Sequence, residues 1–586
     1  MSRRITPVET LPLVPYHQTT DDRTTSRGTG MPSMCLSHVC RQPPCPRPLA
    51  ARRSRLVPRL AGLLAALMIG LGAPCASAAT LRWAAQSDIL TLDPHAHNHP
   101  QTQAILQQVY EGLTRYSPAN EVEPALAAGW TQRNALTWRF FIRQGVNFHD
   151  GSPLRAADVV FSMMRLKEAG SPASAMLSGI RTVKRVDDYT VDFLLEKPLP
   201  LLPRQLVDAR ILSERWAKKH KATKAQNLKI HEDTYASRHA NGTGPFQLAG
   251  WIPSQQLILQ RHDRWWDETG FPGNIRTVVY QPITTDQGRI SALQRQQVDL
   301  VTDLPLQRIP PLQGTTHLKV ASSVAQRTLM IGMDQFSARL AHGNAKGANP
   351  FKDVRVRQAL SLAIDNRRLY RVTETLSRPA GTIVAPGVNG WSPHLDQRPA
   401  RNLAQARQLL ASAGYPNGFE VTLDCPHNRY AFDQEICHAL VPMWRQIGVQ
   451  VKVNTLPFAS LVPKLETLDS SFWMIGWGSP NFDALQSLLS LVYTRSGKLD
   501  GAYNAGRISN PALDRLIDRA RFEANPHARR QLLQDALQIV KEQHYYLPLR
   551  HPMHAWVINR RFELLSPPID RPEMRFVSLR EEGARR

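Results

Sequence analysis

No P-loop, HExxH, GxSxG or CxxC motif occurs in the 586 residues, and no dinucleotide fingerprint with its acidic partner. Each absence removes a chemistry: phosphate cradling at a helix start, zinc-assisted hydrolysis, an exposed nucleophilic serine, and dithiol redox exchange. Uninterrupted basic stripes are missing too. The chain carries a net charge of +24, of which the first 78 residues hold +7 and the remainder +17. Beyond residue 78 these charges are scattered singly, as in RVRQ and HARRQL, and only WAKKHKATK (216–224) gathers several. That pattern speaks against nucleic-acid binding and for solubility with a general attraction to anions or a membrane surface. Cysteine is scarce. Cys35, Cys40, Cys45 and Cys75 crowd the start, and only Cys425 and Cys437 follow.

The apolar run LAGLLAALMIGL (60–71) falls short of the roughly 20 residues a membrane-spanning helix needs. It follows Arg52, Arg53, Arg55 and Arg59 and precedes Ala76-Ser77-Ala78, small residues of a leader-peptidase site. Together these are the positive flank, apolar segment and cleavage site of a secretion signal, with removal expected after Ala78. A lipoprotein attachment at Cys75 is disfavoured by Pro74. The first fifty residues show neither helical nor strand period. They read as an over-long frame with the true start near Met31 or Met34. In an oxidising compartment Cys425 and Cys437 permit one disulfide, with two buried thiols as the alternative.

The 508 positions after Ala78 are too many for one core, so two or more domains are expected. LRWAAQ (81–86) reads as an opening strand, and Ile105, Val109 and Leu113 mark one face of a helix over 101–113. In TWRFFIRQ, Trp138, Phe140 and Ile142 alternate as in a half-buried strand. Asp187-Asp188 marks a hairpin turn rather than a pair of catalytic acids. Beyond GTGPF (242–246) strands and helices interleave, which favours α/β layering. FEVTLDCP is a strand. DQEICHALVPMWRQIGVQVKVNTLP then gives a helix, a glycine stop and an alternating strand. Two late helices lead to a final strand around HAWVIN, which returns the chain to the first domain. His95, His97 and His99 alternate like a metal comb but lack a fourth ligand, so a polar loop is expected, with no metal and no cofactor.

What remains is a set of gripping groups. Arg429 follows Pro426 in a polar turn after a strand, and its guanidinium offers the rigid fork that suits a carboxylate. A structural surface arginine is the plainer alternative. Trp477 stands between Gly476 and Gly478 after an apolar strand, where backbone can approach a ligand; an ordinary core aromatic is its alternative. Ser479 and Asn481 offer neutral hydrogen bonds nearby. A cleft between lobes is the natural place for such a set.

EPALAAGW (123–130), FFIRQGVNFHDGSPLRAADVVFSMMRL (140–166), GTGPF (242–246), PFKDVRVRQALSLAID (350–365) and GWGSPNFDA (476–484) resemble bacterial extracytoplasmic solute-binding protein family 5, the peptide receptors of ABC importers. The likeness runs from about residue 80 to 580. It implies an α/β, two-lobed periplasmic binding protein fold with an extra subdomain in the first lobe and a two-strand hinge. On that pattern residues 79–117 and 241–325 form the first lobe, 118–240 the extra subdomain, 326–548 the second lobe, and 549–586 the return and tail. The implied role is a periplasmic, monomeric receptor that hands a short peptide to an inner-membrane permease, making and breaking no bond. A non-peptide solute such as an amino-acid conjugate, sugar derivative or chelated metal is the alternative; an enzyme on this scaffold is a remoter one. By resemblance Arg429 takes the peptide carboxylate and Tyr430 stands at the pocket edge. Trp477, Gly478, Ser479, Asn481 and Asp483 supply the rest. The usual amine-binding aspartate, three residues after the tryptophan, is Pro480 here. The amine is then held by Asp483, three positions late, or by backbone carbonyls, or the ligand lacks one.

Overall fold

Strands whose side chains are apolar on both faces build the middle of one large sheet. The computed structural model describes residues 79–580 apart from 98, 169–171, 344–347, 374–375, 480, 497–499 and 570. The secretion signal, Cys35, Cys40, Cys45 and Cys75, and Pro480 therefore lie outside the described residues. Strand β1 (Thr80–Ala85) buries Leu81, Trp83, Ala84 and Ala85 completely. Helix α1 (Pro100–Val109) stops four residues before the expected Leu113. The Val109 carbonyl instead accepts the Gly244 N–H at 2.9 Å, and a Cβ at Gly242 would overlap that same carbonyl. The two glycines of GTGPF are thus packing residues, there to let the chain cross the helix end.

Strands β2 (Ala127–Asn134) and β3 (Thr137–Ile142), helix α2 (Ala156–Lys167), and strands β4 (Ile180–Asp187) and β5 (Thr190–Leu195) form a separate layer. Its four-stranded sheet has the order β2-β3-β5-β4 and encloses Phe140, Phe193 and Met163 in a core of its own. Asp187 and Asp188 sit at the β4–β5 turn, as the pattern predicts. Helix α2 is tied to the loop after β1 by Arg165, which donates to Asp93 at 2.6 and 2.7 Å with both side chains fully buried. His95 joins this network, with Nδ1 3.0 Å from Arg165 and Nε2 2.8 Å from the Arg210 carbonyl. Burial, with the Arg165 charge, lowers the His95 pKa to about 4, so the ring is neutral near pH 7. The histidines lie in a loop, as expected, but a buried one: His95 and His97 are buried, and His95 is a structural strut.

The chain next adds β6 (Phe246–Ile252), β7 (Gln256–Arg261), β8 (Thr277–Pro282) and β9 (Leu300–Val301), then β10 (Leu318–Val324) and β11 (Arg327–Met333). Later come β12 (Glu420–His427), helix α3 (Asp433–Arg445), β13 (Gln450–Pro457), helix α4 (Phe458–Glu466), β14 (Phe472–Gly478), helices α5 (Ala484–Leu491) and α6 (Pro526–Glu542), and β15 (Tyr546–Asn559). Their order in the sheet is β13-β12-β14-β11-β15-β9-β1-β8-β7-β6, with β10 also on β15.

Strand β15 joins the two halves. Its residues 546–550 pair with β11, and 553–559 pair with β10. The β10–β11 connection passes between the halves beside it through Ala325 and Gln326. At this crossing His551 is fully buried, with Nδ1 3.1 Å from Thr328 Oγ1 and Nε2 3.0 Å from Asp396 Oδ1. Thr328 is equally buried, so this Thr–His–Asp alignment pins two strands and offers no nucleophile to a substrate.

Cys425, near the end of β12, and Cys437, inside α3, are disulfide-bonded across a Cα separation of 6.4 Å. The bridge closes the loop that carries Arg429. In the chain-entropy picture a loop of this length is worth ~3 kcal/mol. Replacing both cysteines by serine is expected to lower stability by about that amount, read from the urea midpoint at unchanged m-value. An unchanged midpoint would mean that the crosslink adds nothing to the native state.

Candidate functional site

The loop after β12 is shaped by one buried carboxylate. Asp433 Oδ2 accepts the N–H groups of both Arg429 and Tyr430 at 3.1 Å, while Asn428 and Phe432 take left-handed φ values of 60° and 62°. This tight turn sends the Tyr430 ring inward over the next strand but one, where its hydroxyl donates to the Gly476 carbonyl at 3.2 Å. A Cβ at Gly476 would stand 2.6 Å from Tyr430 Cε1, so only glycine lets the ring lie there. Burial pushes the Tyr430 phenol up, and it stays protonated as a donor at neutral pH.

Arg429 remains at the surface of a cleft. Its guanidinium carbon is 5.0 Å from the Phe458 ring centre and 6.0 Å from that of Tyr430. Two adjoining cavities open here, of about 420 and 310 Å³. Arg327, Arg429, Tyr430 and Gly478 line both; Ser479 borders the first, and Phe458, Glu466 and Trp477 the second. Each volume suits a small solute. A third cavity of about 70 Å³, beneath Tyr116 and Phe482, is too small for a peptide.

Trp477 leans on Tyr503, ring centres 5.0 Å apart, and its indole N–H is buried without an acceptor among the described residues. Trp477 itself borders the second cavity. Ser479 contributes less than its hydroxyl promised. It shares that hydroxyl with Ser487 at 2.7 Å, and its backbone N–H reaches the Gln326 carbonyl at 3.3 Å.

Asn481 and Asp483 are placed elsewhere. The Asn481 carbonyl accepts Arg204 Nη1 at 3.1 Å, and neighbouring Phe482 packs on Tyr116 with ring centres 4.5 Å apart. The segment after β14 therefore rests on residues from the N-terminal half of the chain. Asp483, expected as an amine anchor, is fully buried and caps α5 by accepting the Leu485 N–H at 3.0 Å. Arg529 donates to it at 2.6 and 2.8 Å, and Asn389 Nδ2 at 3.0 Å. Its acceptor sites are occupied, and it borders neither cavity. The physical reason is local: Asp-Ala-Leu begins a helix, and the cap needs the carboxylate turned back along the chain.

Two charged residues at the site were not singled out from sequence. Arg327 opens the apolar strand RTLMIGM, with its guanidinium carbon 5.9 Å from the Tyr430 ring centre. Glu466 ends α4, a helix that runs through Pro463.

The family model described as bacterial extracellular solute-binding proteins, family 5 Middle, matches residues 121–498. The chain belongs to that family. Its members bind peptides or related solutes and deliver them to ABC importers, in the periplasm or outside the cell; they are binding proteins rather than enzymes. The Glutathione-binding protein GsiB of Salmonella paratyphi A is 24% identical over 490 residues, covering 81% of this chain and 90% of its own. Among solved structures, the unliganded open form of the periplasmic murein tripeptide binding protein MppA superposes with a TM-score of 0.74 at 21% identity, covering 86% of this chain and 98% of its own. DppA from Helicobacter pylori, in complex with the peptide STSA, gives 0.60 at 20% identity over 86% and 98%. This family 5 protein thus has the two-lobed α/β fold.

Proposed function

We propose that this solute-binding protein captures a short peptide or peptide-like acid against the β12–β14 face, with Arg429 as the carboxylate anchor, and releases it to an inner-membrane permease. It acts as a periplasmic monomer. The observation that carries the reading is Arg429 itself. The guanidinium lines both cavities, is held by a turn built around Asp433, and has no acidic partner among the described residues. Tyr430, Trp477, Gly478 and Ser479 complete that wall, whereas Asn481 and Asp483 support it from behind.

The lobes divide near residue 325 and near 549, with 118–240 as the extra subdomain, and bending occurs at the β10–β11 connection and in β15. Most wall residues of the cavities lie between 326 and 546, with Leu306, Ala325, Pro552 and Met553 added from the first-lobe side, so the ligand settles first on the second lobe and the first closes over it. The greater likeness to an unliganded open relative than to a peptide complex supports reading this structure as the open form. Closure then removes water from Arg429 and strengthens its pairing with the ligand.

The direct test is mass spectrometry of small molecules released by denaturing gently purified, periplasmically expressed protein. Short peptides or peptide-like acids in stoichiometric amount are expected. A sugar derivative or metal chelate in their place would overturn the ligand class while leaving the receptor.

A further inference from the structure

Among the described residues, the two cavities are lined by two guanidiniums, Arg327 and Arg429, and by a single acid, Glu466. Arg327 is the informative one. Other half-buried arginines have partners: Arg82 pairs with Asp299 at 2.8 Å and Arg139 with Asp192 at 2.7 Å, while Arg143 and Arg204 donate to backbone carbonyls. Arg327 has no acidic partner among the described residues, although it is half-buried at a cavity wall, where an uncompensated cation is costly. The two guanidinium carbons lie 5.9 and 6.0 Å from the centre of one tyrosine ring, and both residues line both cavities, so one ligand can reach both. One carboxylate accounts for only one of them. Glu466 is exposed at the edge of the same space.

Resting on the peptide-receptor reading above, we infer that the ligand carries two carboxylates and one ammonium: Arg429 and Arg327 each take a carboxylate, and Glu466 takes the ammonium. This assigns Arg327 and Glu466 as specificity-determining residues. It also supplies the amine partner that Pro480 and the buried Asp483 do not. A tripeptide with an uncharged first side chain meets Arg429 and Glu466 but leaves Arg327 unpaired.

Calorimetry with two probes tests this. Glutathione has two carboxylates and one ammonium; Ala-Cys-Gly has the ammonium and one carboxylate. Wild type is expected to bind glutathione at least tenfold more tightly. Arg327→Ala should abolish that preference while leaving Ala-Cys-Gly affinity unchanged, and Arg327→Lys should restore part of it. Glu466→Gln, at an exposed position, should weaken both probes. Equal affinities for the two probes in wild type, or equal weakening of both by Arg327→Ala, would overturn the inference and leave the peptide-receptor reading standing. Binding of neither probe would remove both.

Discussion

Asp483→Ala is expected to cost the fold about 3–5 kcal/mol, the usual penalty for leaving a buried charge without its partner. In the native state Asp483 is fully buried, and its two carboxylate oxygens receive Arg529, Asn389 and the Leu485 N–H. Removing them strands the Arg529 guanidinium, itself buried, and deletes the α5 cap. Urea denaturation of wild type and variant reads the loss directly. Asn is the informative control, because it keeps the cap acceptor but not the charge, and should fall between the two. Ligand affinity of the folded fraction should change much less than stability. The opposite result, full stability with lost affinity, would return Asp483 to the binding site.

Acidity gives the same prediction a second readout. Burial alone would raise the Asp483 pKa, but the Arg529 hydrogen bonds and charge outweigh it and hold the carboxyl below its ordinary value. A depressed folded-state pKa means that the stabilisation is fully present above the unfolded value, about 3.9, and is lost as pH falls through the folded value. The gap between wild type and Asp483→Ala should therefore be constant from neutral pH down to about pH 4 and narrow below it.

How the chain displays these roles explains which of them sequence could carry. The β12 strand, the α3 helix with its Gly448 stop, and the alternating β13 strand follow period and punctuation, so they were legible. So were Arg429 and Trp477, which stand at strand ends where loops meet a cleft. Asp483 and Arg327 were illegible for opposite reasons. A carboxylate near a tryptophan looks like a ligand group until Arg529, 46 positions away, is folded against it. Arg327 begins a strand of apolar residues, and nothing local shows that β14 and the Tyr430 turn meet there. Glu466 was hidden by Pro463, which breaks the helical pattern of α4 although the helix continues through it. The α1 end failed similarly: Leu113 keeps the helical period, but the crossing of Gly242 and Gly244 takes over at Val109.

Arg429→Ala is expected to weaken capture of a short peptide by about thirtyfold to a few thousandfold, the span of the ~2–5 kcal/mol lost when a desolvated, hydrogen-bonded charge pair is broken. Its stability should hardly move. The side chain is exposed and shares no ion pair among the described residues, while the turn beneath it is held through backbone N–H groups that alanine retains. This separation of affinity from stability distinguishes Arg429 from Asp483. Lysine sharpens the test: it keeps the charge but replaces a planar two-donor fork by a point charge, so a bidentate carboxylate contact predicts an intermediate loss. Calorimetry on the three proteins with one peptide decides it. Equal affinity throughout would mean that the carboxylate is held elsewhere in the cleft, and Arg327, which lines the same two cavities, would be the guanidinium left to hold it.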